Sequence, residues 1–212
     1  PGDVPSGWAV YASVDHGLNN PTAWLWHAVS PNGDIVTFAE HYQSNMIVSE
    51  HAQLVKQREL SWGRKPDSVE RMGDPAMRQR SGITGTSIIQ EYALHGLYVN
   101  VEGIPHDVMV GIEKMQAYFR LRDDTRWGKN RPKWVISRNC ANFIREMKKL
   151  RWGSYSSDKM AYEMNKQEVV HKKDDHAFDS ARYFATTHPD LKPFVEAKGD
   201  EDPPTTLRYE DL

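Results

Sequence analysis

Residues 8–38, WAVYASVDHGLNNPTAWLWHAVSPNGDIVTF, contain three apolar stretches separated by polar turns. The stretches at 8–14, 22–29 and 35–38 are rich in valine, tryptophan and other residues that favour β-strands. Between the second and third stretches, Asn32-Gly33 supplies the positive φ angles that a tight hairpin turn needs. The sequence therefore predicts an antiparallel three-stranded meander at the start of the fold.

Beyond residue 38, helical patterns alternate with short apolar stretches. A strand followed by a helix and another strand favours parallel pairing, so we expect an α/β fold with a central mixed sheet flanked by helices. The predicted elements are a helix capped by Ser44 or Asn45, a strand at 69–72, a helix at about 86–95 ended by Gly96, a strand at 98–101, a helix from about Asp107, a strand at 134–136, a helix capped by Asn139 and a last helix at about 174–186. Residues 152–155 and 168–171 suit a β-ribbon, with a helix at 160–165 as the alternative.

The length and composition indicate one domain. A chain of 212 residues with 39% hydrophobic residues can bury one sizeable core. Residues 8–188 are predicted to form that domain, whereas residues 1–7 resemble a linker and suggest a piece of a longer chain. Residues 189–212 are predicted to be a flexible acidic tail, because 196–212 hold six Asp or Glu against two Lys or Arg.

The sequence argues against several other kinds of protein. No apolar run approaches the roughly 20 residues that a membrane-spanning helix needs. The single cysteine, Cys140, excludes an intramolecular disulfide and a multi-cysteine zinc site, and it fits a reducing cytoplasm. Residues 81–87 lack the lysine of a phosphate-binding loop, so a nucleotide site is rejected. A serine or cysteine hydrolase is unsupported because the sequence suggests no histidine positioned beside Cys140.

Aspartates lie at the ends of three predicted elements. Asp15 ends the first strand, and Asp74 follows the strand at 69–72. The start of the last helix carries Asp174, Asp175 and Asp179. Helical spacing places Asp175, His176 and Asp179 on one side of the last helix. Clustered carboxylates are tolerated where protons or cations neutralise them, and hard oxygen ligands select Mg²⁺ or Mn²⁺. Two such ions would suit phosphodiester cleavage. Each motif alone is more typical of a turn or a helix cap, so the interpretation depends on their conjunction.

A basic segment spans residues 120–151, which hold 11 Lys or Arg against 3 Asp or Glu. Its mixture of cations with an aromatic residue is typical of phosphate-binding surfaces, and an ordinary solvated loop is an equal alternative. Contacts to phosphates would be steeply salt-dependent and indifferent to base sequence. The candidate DNA-binding residues are Arg78 and Arg80, which follow Asp74 and could steady a scissile phosphate, and Arg122, Arg126, Trp127, Lys129, Arg131 and Lys133.

Three motifs contain these aspartates: Val-Asp-His-Gly at 14–17, Gly-Asp-Pro at 73–75 and Asp-His-Ala-Phe-Asp-Ser-Ala-Arg-Tyr at 175–183. Together they resemble the motifs of the nuclease domain of tailed-phage large terminases. The third is the most specific, because it resembles the D-H-x-x-D-A-x-R-Y ending of that family. Ser180 departs from the usual alanine, which exchanges one small residue for another on a helix. The resemblance covers about residues 8–188.

The resemblance implies a ribonuclease H-like fold in which Asp15, Asp74 and Asp175 form the catalytic, metal-binding triad. Asp179 would be a further metal ligand and His176 an auxiliary group. Asp174, also auxiliary, is a rival for the role of Asp175, so the third corner of the triad stays open. Two Mg²⁺ or Mn²⁺ ions would be bridged by Asp15, one activating water and the other stabilising the departing 3′ oxygen, which leaves a 5′-phosphate product.

The function that this resemblance implies is cleavage of concatemeric double-stranded viral DNA during genome packaging. The expected partners are DNA, an upstream ATPase domain of the same parent chain, the portal and the small terminase subunit, and no membrane. The expected location is the host cytoplasm, docked on the procapsid. Two alternatives remain at this point: another ribonuclease H-like nuclease of the resolvase or transposase type, and a catalytically idle module that binds DNA or docks on the portal.

Overall fold

The structure, a computed structural model, describes residues 4–5, 7–65, 68–82, 84–105, 107–123, 128–149 and 175–187. Within these ranges five strands form one mixed sheet in the order β4-β1-β2-β3-β5. The strands are β1 (Ala9–Asp15), β2 (Thr22–Val29), β3 (Ile35–Gln43), β4 (Glu70–Gly73) and β5 (Trp134–Ile136). The helices are α1 (Val48–Ser61), α2 (Ile88–Leu94), α3 (Val108–Phe119), α4 (Ala141–Lys149) and α5 (His176–Thr187), with a short 3₁₀ helix at Pro75–Arg78.

The pairing confirms the predicted meander and mixed sheet. β1 and β2 are antiparallel with Asp15 opposite Ala23, and β2 and β3 are also antiparallel. β4 pairs in parallel with β1, and β5 pairs in parallel with β3. Consequently β1, β3, β4 and β5 all point their carboxyl ends at the same edge of the sheet, which is the edge that Asp15 reaches.

The predicted strand at 98–101 is wrong, because this segment makes only one isolated parallel bridge, between Asn100 and Met72. The Asn100 amide donates to the carbonyl of Arg71, and its carbonyl accepts from the Gly73 amide. Positive φ angles at Gly96 and Gly103 turn the chain on both sides, so the segment runs beside β4 for one residue and then leaves it.

Helices cover both faces of the sheet. One face packs on α1 and α2, with Trp24, Trp26 and Tyr92 fully buried. The other face packs on α3, α4 and α5, with Trp134, Phe143 and Phe184 fully buried. All eight residues of β2 are buried, as expected of a strand with neighbours on both sides and helices above and below. This arrangement places the tryptophans of the strands in the core and leaves the sheet edge for polar groups.

Two predicted helix caps are wrong. The α1 helix begins at Val48 after Ile47, because Asn45 has a φ of 58° and therefore lies in the left-handed region, outside the extended geometry of an N-cap. The α4 helix receives its cap from β3, since the carboxylate of Glu40 accepts from the amides of Asn142 and Phe143 at 2.9 and 3.0 Å. The proposed ribbon at 152–171 lies outside the described residues. No helix in the described ranges is long and apolar enough to cross a membrane.

Candidate active site

Two aspartates meet at the sheet edge because their strands are parallel neighbours. Asp15 is the last residue of β1, and Asp74 directly follows β4, whose Gly73 lies opposite Val14. A side chain at Gly73 would place its Cβ 2.8 Å from Val14 Cγ1, so only glycine allows this close approach. Asp74 also starts the 3₁₀ helix, since its Oδ1 accepts from the Ala76 amide at 2.8 Å. Strand pairing thus brings together two carboxylates that are distant in sequence.

Helix α5 brings a third set of groups to the same edge. Its first residue, His176, lies with Nδ1 2.9 Å from Oδ2 of Asp15, an ion pair when the imidazole is protonated. One turn later, Asp179 is 8% exposed and accepts from Nε of Arg182 at 2.8 Å. The helix therefore presents an imidazole and a carboxylate on the face that packs on β1.

Close packing fixes the position of α5. On the sheet side, the Ser180 hydroxyl lies 2.9 Å from that of Ser13 in β1. On the opposite side, Gly111 of α3 leaves room for Arg182, since a Cβ there would lie 2.2 Å from Arg182 Cγ. The helix is held between β1 and α3, so its first turn cannot shift far relative to Asp15.

The carboxylates influence one another electrostatically. Burial raises the pKa of Asp15, and the charges of Asp179 and Asp74 raise it further, whereas His176 opposes the shift. The hydrogen bond to Asp15 raises the pKa of His176, and the charges of Glu146 and Asp175 act in the same direction. An arrangement that resists holding three negative charges is one that a cation would stabilise.

Two residues, Asp175 and Asp179, are candidates for the third position of the predicted triad. The charge of Asp179 acts directly on Asp15, whereas that of Asp175 acts on His176. Asp175 precedes the helix, and its carbonyl accepts from the Asp179 amide at 2.7 Å. Asp174 lies outside the described residues. The charges of Asp74 and Asp179 both raise the pKa of Asp15, which couples these three carboxylates electrostatically.

Comparison with known proteins gives matches among solved structures. No family model and no curated protein sequence matches this chain. The large terminase of a thermophilic bacteriophage, solved in complex with ADP, is 20% identical with a TM-score of 0.65, covering 88% of this chain and 41% of that one. The P22 large terminase nuclease domain is 18% identical with a TM-score of 0.63, covering 88% of this chain and 84% of that one. The fold is that of the large-terminase nuclease domain. The predicted ribonuclease H-like architecture is thereby confirmed.

A further match is the large terminase nuclease of the thermophilic phage G20c, whose structure contains bound cobalt. It is 10% identical with a TM-score of 0.54, covering 88% of this chain and 84% of that one. The match thus covers 84% of each of these two nuclease domains. The chain spans 41% of the length of the ADP-bound large terminase.

The donors at the edge of this terminase nuclease fold have the chemistry that suits a hard divalent cation. Asp15, Asp74 and Asp179 offer carboxylate oxygens, the ligands that Mg²⁺ and Mn²⁺ prefer. The pKa of Asp15 is raised by burial and by the two neighbouring carboxylates, so a cation would relieve both effects. In the part of the chain that the structure describes, no group of three or more His, Cys, Asp or Glu side chains is arranged so that it could hold a metal ion. Arg182 places a positive charge beside Asp179, and His176 places one beside Asp15 when its imidazole is protonated.

Two residues near the carboxylates were missed by the sequence analysis. Tyr183 is buried, and its pKa is raised by that burial and by the charges of Asp15, Asp179 and Asp74. Glu146 of α4 is 2% exposed and binds the first turn of α5. The sequence did hold one signal for Glu146: an acidic residue three positions after Phe143, which places it on the apolar side of the helix.

The histidine next to Asp15 faces away from the site. Successive residues of a strand point to opposite faces, so His16 turns toward α2 and lies 3.1 Å from the hydroxyl of Tyr92. Burial and the nearby His51 lower the pKa of His16 to about 4. Of the Asp-His-Gly motif at 15–17, only Asp15 reaches the other carboxylates.

The predicted DNA-binding residues lie in two separate places on the terminase nuclease fold. Arg78 and Arg80 are exposed and follow Asp74, with Arg78 paired to Glu102 at 2.9 Å. Arg122 and Arg131 pair through their backbones, and the carbonyl of Lys133 accepts from the Ile35 amide. Lys129 is exposed nearby, whereas Arg126 and Trp127 lie outside the described residues.

This second group lies at the far end of the sheet from the carboxylates. Ile35 pairs with Val29, which pairs with Ala9 at the start of β1, whereas Asp15 ends that strand. The seven residues of β1 span about 20 Å at roughly 3.3 Å per residue. A cavity of about 350 Å³ at this end is lined by Asn32, Gly33, Lys114, Ala117, Tyr118, Arg122 and Lys133.

Proposed function

We propose that this chain is a metal-dependent endonuclease domain that cuts double-stranded viral DNA during genome packaging. The observation that carries the proposal is the meeting of Asp15, Asp74, His176 and Asp179 at one edge of a sheet with the fold of terminase nuclease domains. The identity to those domains is 18% or lower, so the proposal rests on the carboxylates and their charges as well as on the fold.

The residues that would hold the ions are Asp15, Asp74 and Asp179, with Asp175 as the alternative third ligand. Divalent cations there, Mg²⁺ or Mn²⁺ in a pair, would neutralise the phosphodiester and lower the pKa of an attacking water. The cobalt bound in the G20c nuclease supports a divalent ion in this fold. His176 would orient the Asp15 carboxylate through its 2.9 Å hydrogen bond, and burial of Asp179 would restrict its rotamers.

DNA would be bound through its phosphates. Arg78 and Arg80 are suited to contact the phosphate nearest the cut, because they are exposed and lie four and six residues after Asp74. Arg122, Lys129, Arg131 and Lys133 would contact phosphates at the other end of the domain, about 20 Å away, in keeping with the length of β1. Such contacts predict little sequence preference and a steep loss of affinity as salt rises.

The whole protein would be a packaging motor subunit of which this domain is one part. The chain spans 41% of the matched thermophilic-phage large terminase, whose structure contains ADP, so an ATPase domain in the parent chain is part of the proposal. The portal, the small terminase subunit and docking on the procapsid in the host cytoplasm belong to the same proposal. They follow from the resemblance of the motifs at 14–17, 73–75 and 175–183 to those of large terminases.

The test is cleavage of supercoiled plasmid by this 212-residue chain with Mg²⁺, with Mn²⁺ and with a chelator. Nicked and linear products that need the ion, with 5′-phosphate ends, would support the endonuclease. Binding without any cutting would favour the second candidate, an idle DNA-binding or portal-docking module. That candidate has one observation of its own, since the cavity lined by Lys114, Arg122 and Lys133 lies far from the carboxylates.

A further inference from the structure

Glu146 is a buried carboxylate whose hydrogen bonds join three elements. One oxygen, Oε2, accepts from the amides of Ala177 and Phe178 at 2.7 and 3.0 Å. The other oxygen, Oε1, accepts from the hydroxyl of Tyr42 at 2.7 Å. Glu146 lies on α4, Tyr42 on β3 and both amides on α5, so a single side chain ties these three elements together.

The two amides belong to the first turn of α5, where backbone N–H groups have no partner within the helix. A carboxylate there satisfies them and interacts favourably with the positive end of the helix dipole. Most helices receive this cap from a residue just before the helix. In α5 it comes from Glu146, 31 residues before Ala177, so the position of the first turn depends on tertiary structure.

The capped turn is the one that carries the candidate site. His176, bonded to Asp15, directly precedes Ala177, and Asp179 directly follows Phe178. Both site residues are therefore attached to the amides that Glu146 holds. Glu146 is 2% exposed, and its hydrogen bonds go to Tyr42 and to these amides, so it holds the candidate ligands through the backbone of α5. Its charge also acts on His176, whose pKa it raises.

We propose that Glu146 is a positioning residue, which sets the first turn of α5 so that His176 and Asp179 face Asp15. The inference rests on the proposed function, since it deepens the role of that same site. Tyr42 supports Glu146 in this role by fixing the orientation of its carboxylate through Oε1. Loss of the carboxylate frees the first turn of α5, which loosens the site while the helix stays packed through Ser180 and Ser13.

The chain offers a matched control in Glu40. This residue also caps a helix from another element, because its carboxylate accepts from the amides of Asn142 and Phe143 of α4. It also accepts from the side-chain amide of Asn142 at 2.8 Å. α4 carries none of the candidate carboxylate ligands. It carries Glu146, about one turn beyond the capped amides, and the fully buried Phe143 keeps α4 packed when Glu40 is lost. Glu40→Ala therefore removes a carboxylate cap from α4 and leaves the carboxylate cap of α5 in place.

The experiment compares Glu146→Ala, Glu146→Gln and Glu40→Ala by three measurements at a temperature where all are folded. These are Mn²⁺ affinity by calorimetry, kcat and KM for plasmid cleavage, and the amide and side-chain NMR resonances of residues 175–179 without metal. Glu146→Ala should lower Mn²⁺ affinity and kcat by about 10- to 100-fold, the range typical of groups that orient ligands, with KM little changed. Glu146→Gln should recover most of both, because a glutamine oxygen can accept from the α5 amides while its NH₂ donates to Tyr42.

The inference is overturned if Glu146→Ala binds Mn²⁺ and cuts as Glu40→Ala does, or if Glu146→Gln is as defective as Glu146→Ala. Where Glu146→Ala does not fold, Glu146→Asp, whose carboxylate is one methylene shorter, takes its place with the same expected loss. If the unaltered protein neither binds Mn²⁺ nor cuts, the proposed function fails, and the NMR comparison decides the positioning role alone. In that case, His176 resonances that move in Glu146→Ala and are restored in Glu146→Gln support it, and unchanged resonances contradict it.

Discussion

The imidazole of His176 and the carboxylate of Asp15 lie 2.9 Å apart, although 161 positions separate them in the sequence. The contact joins the end of β1 to the start of α5, and each partner shifts the pKa of the other toward the charged pair. When this imidazole is protonated, a side chain of the protein places a positive charge beside Asp15. Binding of a divalent cation at Asp15 would compete with, or rearrange, this pair.

The first prediction concerns the third ligand. Asp179→Asn should reduce metal-dependent cleavage more than Asp175→Asn, because Asp179 is buried and its charge raises the pKa of Asp15. The expected loss is about 10- to 100-fold for Asp179→Asn and smaller for Asp175→Asn. Initial rates on plasmid, with circular dichroism as the check on folding, would measure both. If Asp179→Asn is as active as the unaltered protein, the third ligand is Asp175 or Asp174 instead.

The second prediction is a pH dependence of stability without metal. Burial, together with Asp179 and Asp74, raises the pKa of Asp15 in the folded protein. The folded state then holds this proton more tightly than the unfolded chain, so stability is lost as pH rises from about 3.9, the ordinary carboxyl value, through the folded pKa. Asp15→Asn removes this loss and should be at least as stable as the unaltered protein at neutral pH in chelator.

Urea unfolding at several pH values measures this effect. The difference in unfolding free energy between Asp15→Asn and the unaltered protein should shrink as pH falls toward 4, roughly the ordinary carboxyl pKa. A variant that is less stable at neutral pH, with a deficit that closes on acidification, would show that the bond to His176 outweighs the burial of Asp15.

The third prediction tests the contact between α5 and β1. Ser180→Ala leaves the Ser13 hydroxyl without its 2.9 Å partner on α5, which should cost about 1 kcal/mol of stability. Ser13 keeps its bond to His27, so the loss should not be larger. The double variant with Ser13→Ala should cost less than the sum of the two single changes, because both partners are then removed. A double-variant cycle in chemical denaturation measures the coupling, and strict additivity would argue against this contact.

The fourth prediction concerns the packing of α3 on α5. Alanine at position 111 would normally favour a helix, but its Cβ would lie 2.2 Å from Arg182 Cγ. Gly111→Ala should therefore destabilise the fold by on the order of 1–3 kcal/mol and displace the Arg182 side chain from Asp179. Gln116→Ala, an exposed change on the same helix, is the control for helix propensity. Thermal unfolding of both variants measures the difference, and a stabilised Gly111→Ala would contradict the close packing.

Much of the fold follows from local sequence. The β-prone stretches of β1 and β2 and the turn at Asn32-Gly33 specify the meander, and Asp15 and Asp74 could be placed at one edge because parallel strands end together. The strand predicted at 98–101 failed because sheet pairing depends on whether the neighbouring turns keep a segment beside the edge.

Other features depend on contacts between residues far apart in sequence. Glu40 and Glu146 each cap a helix from a different secondary-structure element. No local sequence pattern reveals which helix such a distant carboxylate will cap. The order of the basic residues along the chain likewise gave no sign that Lys133 lies at the opposite end of the sheet from Asp74. Spacing on α5 could group Asp175 with Asp179, but only the packing of that helix on β1 distinguishes them.

The most direct test of the proposed endonuclease is cleavage of supercoiled plasmid by Asp74→Asn beside Asp107→Asn, with Mg²⁺ or Mn²⁺ and with a chelator. Asp107 is an exposed cap of α3 whose side chain accepts from the Met109 amide, so its variant controls for the loss of one surface carboxylate. We expect ion-dependent cutting by the unaltered protein and by Asp107→Asn, and none by a folded Asp74→Asn. Undiminished cutting by Asp74→Asn would contradict the assignment of the site.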